Sequence, residues 1–165
     1  MFKLDTDTIE KLDFKDPAIW AATWFGTGFM QPAPGTWGSI AALPFGVLIM
    51  VVGGPITLFI ATVLVTALGY WASDKVEKMT GAHDLSFIVI DEAAGLWLTL
   101  LICNMTPLSI LCALLLFRVF DMLKPWPISL IDKKTPGALG VMLDDLAAGI
   151  AAAAILGGMQ YAGFV

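Results

Sequence analysis

The sequence predicts an all-α membrane protein, a multi-pass transmembrane bundle of about five apolar helices with a short interfacial helix near the N-terminus. Hydrophobic residues make up 58% of the 165 residues and charged residues only 14%, whereas a soluble domain usually carries about 25% charged residues. Surplus apolar surface of this kind is typical of chains that face lipid. We expect one membrane-embedded domain over residues 1–165, beginning with a polar tail over residues 1–16.

Five apolar runs predict the membrane-crossing segments, which cover residues 39–52, 55–72, 87–103, 107–123 and 146–163. Most of them approach the lower limit of about 17 residues for a spanning helix. Helices are expected because lipid offers no partner for unpaired backbone groups. Gly53-Gly54-Pro55 cuts the first run short, so this run is either a tilted span or a re-entrant segment.

A short helix is predicted to begin at Asp16-Pro17, since Asp is a favoured N-cap and Pro is favoured at the first helical position. The helix is expected to run through Trp20, Trp24 and Phe25. Aromatic residues of this kind are typical of the membrane interface.

The distribution of charge predicts the orientation. If five spans alternate in direction, the linkers near 53–55 and 104–106 and the C-terminal tail share one side, and they contain no charged residue. All 9 Lys and Arg and all 14 Asp and Glu lie elsewhere. The excess of Lys and Arg is typical of the cytoplasmic side. The net charge of −5 argues against a nucleic-acid partner, which would require a basic surface.

Seven charged residues lie within the apolar runs or at their edges, at the ends that alternation brings to the cytoplasmic face. They are Asp91 and Glu92 in the third run, Arg118, Asp121 and Lys124 around the end of the fourth, and Asp144 and Asp145 before the fifth. Charge inside a membrane is costly and usually functional. The alternatives are helix-end anchors, carboxylates favoured by a helix N-terminus and, for Arg118 and Asp121, an ordinary ion pair at i and i+3.

Carboxylates from three helices at one depth predict a site for a hard cation. Mg²⁺ takes oxygen ligands and bridges to phosphate oxygens. Adjacent helical residues point about 100° apart, so one member of each adjacent pair is expected to bind the metal directly. The candidate metal ligands are Asp91, Glu92, Asp121, Asp144 and Asp145. Gly95 and Gly149, one turn further along, would let the helices approach closely.

Phosphate-binding groups are predicted on the same face. Arg118 and Lys124 can make charge-assisted hydrogen bonds to a phosphate. The Gly- and Pro-rich segment 26–39 leads into the first span, where Thr36 and Ser39 could cap the helix and the amides near Gly35 could bind an anion. A capped loop without a ligand is the other interpretation of this segment.

Two further residues have open or rejected roles. His83 is the only histidine and precedes the third run, so it is either a surface residue or a catalytic one. Cys112 and Arg118 match the C-x5-R spacing of cysteine phosphatases, but the intervening residues are expected in mid-helix with their amides bonded internally. Cys112 would also lie about 9 Å deeper than Arg118, and we reject this interpretation.

Four blocks of sequence resemble the phosphatidylglycerophosphatase A family of bacterial inner-membrane enzymes. They are GTGFMQPAPGTWGS (26–39), HDLSFIVIDEAAGLWLTL (83–100), FRVFDMLKPWPI (117–128) and GVMLDDLAAG (140–149). The blocks occur in the family's order and span about residues 20 to 150, and R-x-x-D-x-x-K-P-W-P is a specific run. Around residues 137–140 the family tends to have two adjacent glycines, which this chain lacks.

The resemblance implies Mg²⁺-dependent removal of the terminal phosphate from phosphatidylglycerophosphate, giving phosphatidylglycerol, in the bacterial inner membrane with the active site facing the cytoplasm. For this reaction we assign catalysis to Glu92, Asp121 and Asp145. Attack by water on the metal, with a carboxylate as base, and a covalent aspartyl-phosphate both remain open. The competing class is a small cation or proton transporter, which would place its charges near the membrane midplane. The sequence leaves the oligomeric state undetermined.

Overall fold

A computed structural model describes residues 6–83 and 85–165, so the first five residues of the predicted polar tail and Asp84 lie outside it. Within this part of the chain all regular structure is helical, as predicted. The helices are α1 (Thr6–Glu10), α2 (Pro17–Ala22), α3 (Pro34–Thr80), α4 (Ile90–Leu100), α5 (Pro107–Leu123), α6 (Ile128–Lys134) and α7 (Ala138–Tyr161), with a 3-10 turn at Thr27–Phe29.

Helix α2 begins as predicted but ends earlier. The side chain of Asp16 accepts a hydrogen bond from the amide of Ala18 at 2.9 Å, and Pro17 is the first helical residue. The helix stops at Ala22, since Trp24 and Phe25 adopt positive φ angles of 45° and 59°. The interfacial role predicted for Trp24 is wrong, because its ring is buried in T-shaped contacts with Phe45 and Trp97.

Helix α3 is a helical hairpin with two arms, residues 34–53 and 55–80. A straight helix would hold Gly38 and Gly69 about 46 Å apart. A Cβ on Gly38 would instead lie 2.6 Å from Val89, and one on Gly69 would lie 3.1 Å from the neighbouring Ile90. The chain therefore reverses at the break predicted there, where Gly54 has φ 76° and ψ −179°.

The first arm is longer than its apolar run suggested. Helix α3 begins at Pro34, five residues before the predicted start at Ser39. At 1.5 Å per residue an arm over 34–53 is about 30 Å long, which matches the hydrocarbon thickness of a bilayer. The apolar run was shorter than the helix because the first residues of the helix are polar or small and do not continue the apolar pattern.

Two helices in the described part of the chain are long and apolar enough to cross a membrane, α3 and α7, whereas the sequence predicted about five spans. Helix α5 has 17 residues, close to the lower limit. Helix α4 has 11 residues, or about 16 Å, and is too short to cross the hydrocarbon core alone. The run 87–103 was apolar because α4 is the buried centre of the fold, where every residue except Leu98 is buried.

Helices α4 and α7 meet through small residues, as predicted. A Cβ on Gly95 would lie 2.5 Å from the carbonyl oxygen of Asp145, and one on Gly149 would lie 2.4 Å from the carbonyl oxygen of Gly95. The Thr99 hydroxyl donates to the Gly149 carbonyl at 3.2 Å. Such close backbone approach is how helices associate in lipid, where burial of apolar surface gives little driving force.

We expect Gly95→Ala to destabilise the protein in detergent micelles by about 1–3 kcal/mol, the usual cost of overpacking, because the added methyl collides with backbone atoms of α7. The measurement is the thermal unfolding midpoint. Gly158→Ala is the matched control, since a Cβ there meets nothing within 4 Å, and it should be neutral or stabilising through helix propensity. An equal change in both variants would contradict the importance of the α4–α7 contact.

Candidate active site

Three helices bring carboxylates together near the end of the bundle where α3 begins. Asp91 and Glu92 lie in the first turn of α4, and Asp145 lies on α7. One oxygen from each of these side chains lies within 4.8 Å of the others, and all three residues are buried. Asp121, in the last turn of α5, lies within electrostatic reach of Glu92 and Asp145.

Asp144 and Asp145 lie further inside α7 than predicted. The helix begins at Ala138, so about 9 Å of helix precedes them. Stabilisation by a helix N-terminus is confined to the first turn and does not explain these carboxylates. Their burial therefore requires other partners.

The acidic cluster has the donor set that a hard cation needs. Asp91 Oδ1, Glu92 Oε2 and Asp145 Oδ2 are buried and accept no hydrogen bond from the residues that the structure describes. Buried carboxylate oxygens without partners cost free energy, and oxygens from three side chains converging on one point are what Mg²⁺ binds. The residues present therefore fit the metal predicted from the sequence.

Arg118 lies among the carboxylates. Its Nη1 is 2.7 Å from Asp121 Oδ2 and 3.6 Å from Glu92 Oε1, and its side chain is 14% exposed. The ion pair with Asp121 at i and i+3 thus exists, but it is largely buried and extends to Glu92 on another helix. Arg118 Nε and Nη1 have no hydrogen bond of good geometry among the described residues. The guanidinium therefore retains free donors beside the carboxylates, although Arg118 is not among the described residues that line the cavity above them.

Lys124 connects two helices to the end of α5. It ends α5 in the left-handed conformation, with φ 41°. Its ammonium donates to Asp132 Oδ1 on α6 at 2.6 Å and also to Asp144 Oδ2 on α7. The hydrogen bond from Lys124 holds the pKa of Asp132 below its usual value, so Asp132 is ionised at neutral pH. Asp144 is engaged by Lys124, which leaves Asp145 as the member of the pair that faces the other carboxylates.

The predicted anion-binding segment reaches the cluster, but through a different residue from those proposed as caps. A Cβ on Gly35 would lie 2.0 Å from Glu92 Oε1 and 3.0 Å from Arg118 Nη1. Thr36 and Ser39 lie inside α3, whose N-cap is Ala33 with no side-chain cap. The Ser39 hydroxyl donates to the Gly35 carbonyl at 2.8 Å. The capping prediction is therefore wrong because the helix starts earlier, whereas the proximity of Gly35 to the cluster is confirmed.

An open cavity of about 450 Å³ lies over the carboxylates. Asp91, Glu92, Asp121, Asp144 and Asp145 all line it, together with Lys124 and Asp132. His83 is at its edge, where Nδ1 lies 3.0 Å from Glu77 Oε2. The cavity therefore combines a candidate cation site, a cation on a flexible side chain and a titratable imidazole.

Cys112 does not belong to this site. It lies within α5, one and a half turns before Arg118, and does not line the cavity over the carboxylates. Sequence reasoning missed Asp132 and Glu77, which contact site residues. Both lie in charged segments, where nothing in the local pattern separates them from solvated surface charges.

Comparison with known proteins gives a consistent result. The model of the family Phosphatidylglycerophosphatase A matches residues 20–160. Phosphatidylglycerophosphatase A of Haemophilus influenzae is 37% identical over 158 residues, which is 95% of this chain and 97% of the relative. The protein of the same name from Escherichia coli is 36% identical over 148 residues, 88% of this chain and 85% of the relative.

A Bacteroides thetaiotaomicron protein, named provisionally as a phosphatidylinositol-3-phosphatase, is 35% identical over 141 residues, 78% of this chain and 84% of the relative. No solved structure matches this one. The match to the family model and the two full-length relatives show that the chain belongs to the phosphatidylglycerophosphatase A family.

Proposed function

We propose that the protein is a Mg²⁺-dependent lipid phosphatase that hydrolyses phosphatidylglycerophosphate to phosphatidylglycerol and phosphate at the cytoplasmic face of the bacterial inner membrane. The observation that carries this proposal is the convergence of the Asp91, Glu92 and Asp145 carboxylates, each with an unpartnered oxygen, at a cavity that Lys124 also lines. Family membership supports the choice of lipid substrate.

Asp91, Glu92 and Asp145 would hold the metal. Bound Mg²⁺ supplies positive charge that offsets the charge on the phosphoryl oxygens and polarises the P–O bond. Asp121 and Asp144 support the site differently, since each is held by a cation, Arg118 and Lys124 respectively. These ion pairs hold the two carboxylates in place beside the ligands.

The two cations would bind the phosphate by exchanging partners. Arg118 has a free Nε donor in the site, and Lys124 shares its ammonium between Asp132 and Asp144. A phosphate oxygen is a strong acceptor for both groups. Lys124 can turn from the exposed Asp132 towards the substrate while its contact with Asp144 remains.

The reaction needs a water molecule that loses a proton. A carboxylate oxygen of the cluster that is not engaged with a cation can accept this proton as the water oxygen forms its bond to phosphorus. The ester P–O bond breaks at the same time, and the oxygen of the glycerol group departs with the bonding electrons. We assign these steps to Asp121, Glu92 and Asp145, because their carboxylates lie around the oxygens that have no hydrogen-bond partner among the described residues.

The multi-pass topology is part of the same proposal. The two arms of α3, together with α5 and α7, supply four apolar helices, and the residues most exposed along them are apolar, including Val52, Ile56 and Ile150. Helix α4 runs alongside the first arm, because Gly38 packs on Val89 and Gly46 on Trp97. Helix α4 and the linker that follows it would together form the fifth membrane pass, at the centre of the bundle.

The distribution of charge disfavours the transporter interpretation. A transporter places its charged residues near the membrane midplane with access from both sides. Here the carboxylates lie in the first turn of α4, in the second and third turns of α7 and in the last turn of α5, all at one end. Gln160 and Asn104 bond to one another at the other end, which carries no charged residue.

The direct test is release of phosphate from phosphatidylglycerophosphate by the purified protein in mixed micelles. We expect release with Mg²⁺ and none with EDTA. Phosphatidylinositol 3-phosphate in the same micelles tests the other lipid named among the relatives, and we expect much slower release. Activity that survives EDTA would contradict the metal assignment, and preference for the inositol lipid would contradict the substrate assignment.

A Mg²⁺ titration separates metal ligands from phosphate-binding residues. Asp91→Asn and Asp145→Asn should abolish activity or raise the Mg²⁺ concentration needed for half-maximal rate. Arg118→Lys and Lys124→Met should lower kcat/KM by about 10- to 150-fold, the equivalent of a lost charge-assisted bond of roughly 1.5–3 kcal/mol, with little change in the Mg²⁺ midpoint. Equal shifts in the midpoint for both groups would mean that these roles are not separable.

Asp132 competes with substrate for Lys124, so Asp132→Asn should lower KM. An exposed ion pair contributes about 0.2–1 kcal/mol, and the expected change is therefore at most about 5-fold. Asp74→Asn is the matched control, because Asp74 pairs with Lys78 on the surface and its loss should leave KM unchanged. A large fall in kcat for Asp132→Asn would instead assign Asp132 to the chemistry.

Cysteine labelling tests the orientation. In a variant lacking Cys103 and Cys112, single cysteines at Val52 or Tyr161, which are 78% and 97% exposed, should react with an impermeant maleimide in intact cells. Cysteines at Lys78 or Lys133 should react only after the membrane is permeabilised. The reverse pattern would place the acidic cluster outside the cytoplasm.

A further inference from the structure

Glu77 is a buried carboxylate that the proposed phosphatase site does not use. It lies near the end of the second arm of α3 and is 7% exposed. Its Oε2 is 3.0 Å from Nδ1 of His83, and its Oε1 has no hydrogen-bond partner among the described residues. Burial of a carboxylate is costly unless it is paired, and the imidazole is the one side-chain partner that the described residues offer it.

The pair stands at the wall of the cavity that contains the acidic cluster. His83 lines this cavity, and its side chain is 78% exposed. Gly137, in the cavity wall next to α7, lies so near that a Cβ there would be 3.4 Å from Glu77 Oε2. Glu77 therefore holds the imidazole through Nδ1, while Nε2 has no partner among the residues that the structure describes.

We propose that His83 is the general acid that protonates the leaving oxygen of the lipid, and that Glu77 is its positioning residue. This inference rests on the proposed phosphatase function. Glu77 accepts a hydrogen bond from Nδ1–H and so leaves Nε2 as the nitrogen that exchanges a proton with the cavity. A carboxylate that fixes a catalytic imidazole in this way is a recurrent arrangement in hydrolases.

Protons and bonding electrons are conserved in the proposed hydrolysis. Water forms the new P–O bond and gives its proton to a carboxylate of the acidic cluster. The ester P–O bond breaks, its electron pair stays on the glycerol oxygen, and His83 Nε2 gives that oxygen a proton. The products are the lipid alcohol and phosphate, and the carboxylate proton returns to the imidazole through solvent.

The other charged groups around the imidazole fit this role. Asp74, Glu77 and Lys78 approach it from α3, while Lys124, Asp132 and Asp144 face the same cavity. Lys124 is held by Asp132 and Asp144, and Lys78 is held by Asp74. Neither lysine is as well placed to serve as the proton donor, since each is already bound to carboxylates.

The test compares variants of the full-length protein in micelles of phosphatidylglycerophosphate with Mg²⁺. His83→Ala should lower kcat by about 10²- to 10⁴-fold, the usual contribution of general acid–base catalysis, with KM nearly unchanged. Added imidazole, which the open cavity can admit, should restore part of the rate. Glu77→Gln should lower kcat by a smaller factor and should have no further effect in the His83→Ala background, because the two residues act as a unit.

Asp74→Asn is the matched control, a carboxylate on the same face of α3 whose lysine partner lies on the surface, and it should keep the wild-type rate. The thermal midpoint of each variant shows whether it is folded. Wild-type protein that releases no phosphate would overturn the proposed function and this inference together. If the wild type is active and His83→Ala keeps its rate, only the role of His83 and Glu77 is overturned. The same holds if the effects of His83→Ala and Glu77→Gln add and imidazole restores no activity.

Discussion

The contact between the backbones of α4 and α7 fixes the site. Gly95 and Gly149 allow the two helices to approach until carbonyl oxygens lie where side chains would otherwise be. Asp91 and Asp145 each lie one turn before one of these glycines, so the same contact that joins the helices holds their carboxylates opposite each other. A site on rigid helices needs no loop rearrangement to bring its ligands together.

This arrangement creates an excess of negative charge that the protein does not neutralise by itself. Five carboxylates, at positions 91, 92, 121, 144 and 145, face two cations, Arg118 and Lys124. Arg118 and Lys124 take Asp121 and Asp144 as their closest partners. Glu92 has a longer contact of 3.6 Å with Arg118, and Asp91 and Asp145 have no cation partner among the described residues. An anionic phosphate would be repelled from such a cavity, whereas a divalent cation would be attracted and would then provide the charge that a phosphate requires. Under the proposed function, cation and substrate would therefore depend on each other at this site.

The carboxylates that the sequence proposed for the site lie together in the structure. Charge at the ends of apolar runs singled out Asp91, Asp121 and Asp145, because the cost of charge near lipid makes such residues informative. The helix limits were less predictable. The first turns of α3 and α7 were not predicted because they contain polar and small residues. Helix α4 was predicted as a lipid-facing span because a buried core helix and a membrane helix are equally apolar.

Contacts made across turns of the chain were the least predictable features. The Lys124–Asp132 pair depends on the turn of α6, and the His83–Glu77 pair depends on the chain folding back after Thr80. No periodicity in the sequence predicts either contact. Sequence patterns indicate which side chains must avoid lipid, but only the packed structure shows which of them meet.

The position of the cavity fits the proposed membrane-lipid substrate. The cavity opens beside the end of α5, where Met122, Leu123 and Trp126 are 69%, 74% and 79% exposed. Apolar side chains at this level can contact acyl chains and glycerol groups, and Lys124 between them points the other way, into the acidic cavity. A lipid whose phosphate ester projects into water would thus keep its chains in the bilayer while its terminal phosphate enters the cavity. The substrate would then need no extraction from the membrane, and the free energy of binding could be used at the phosphate.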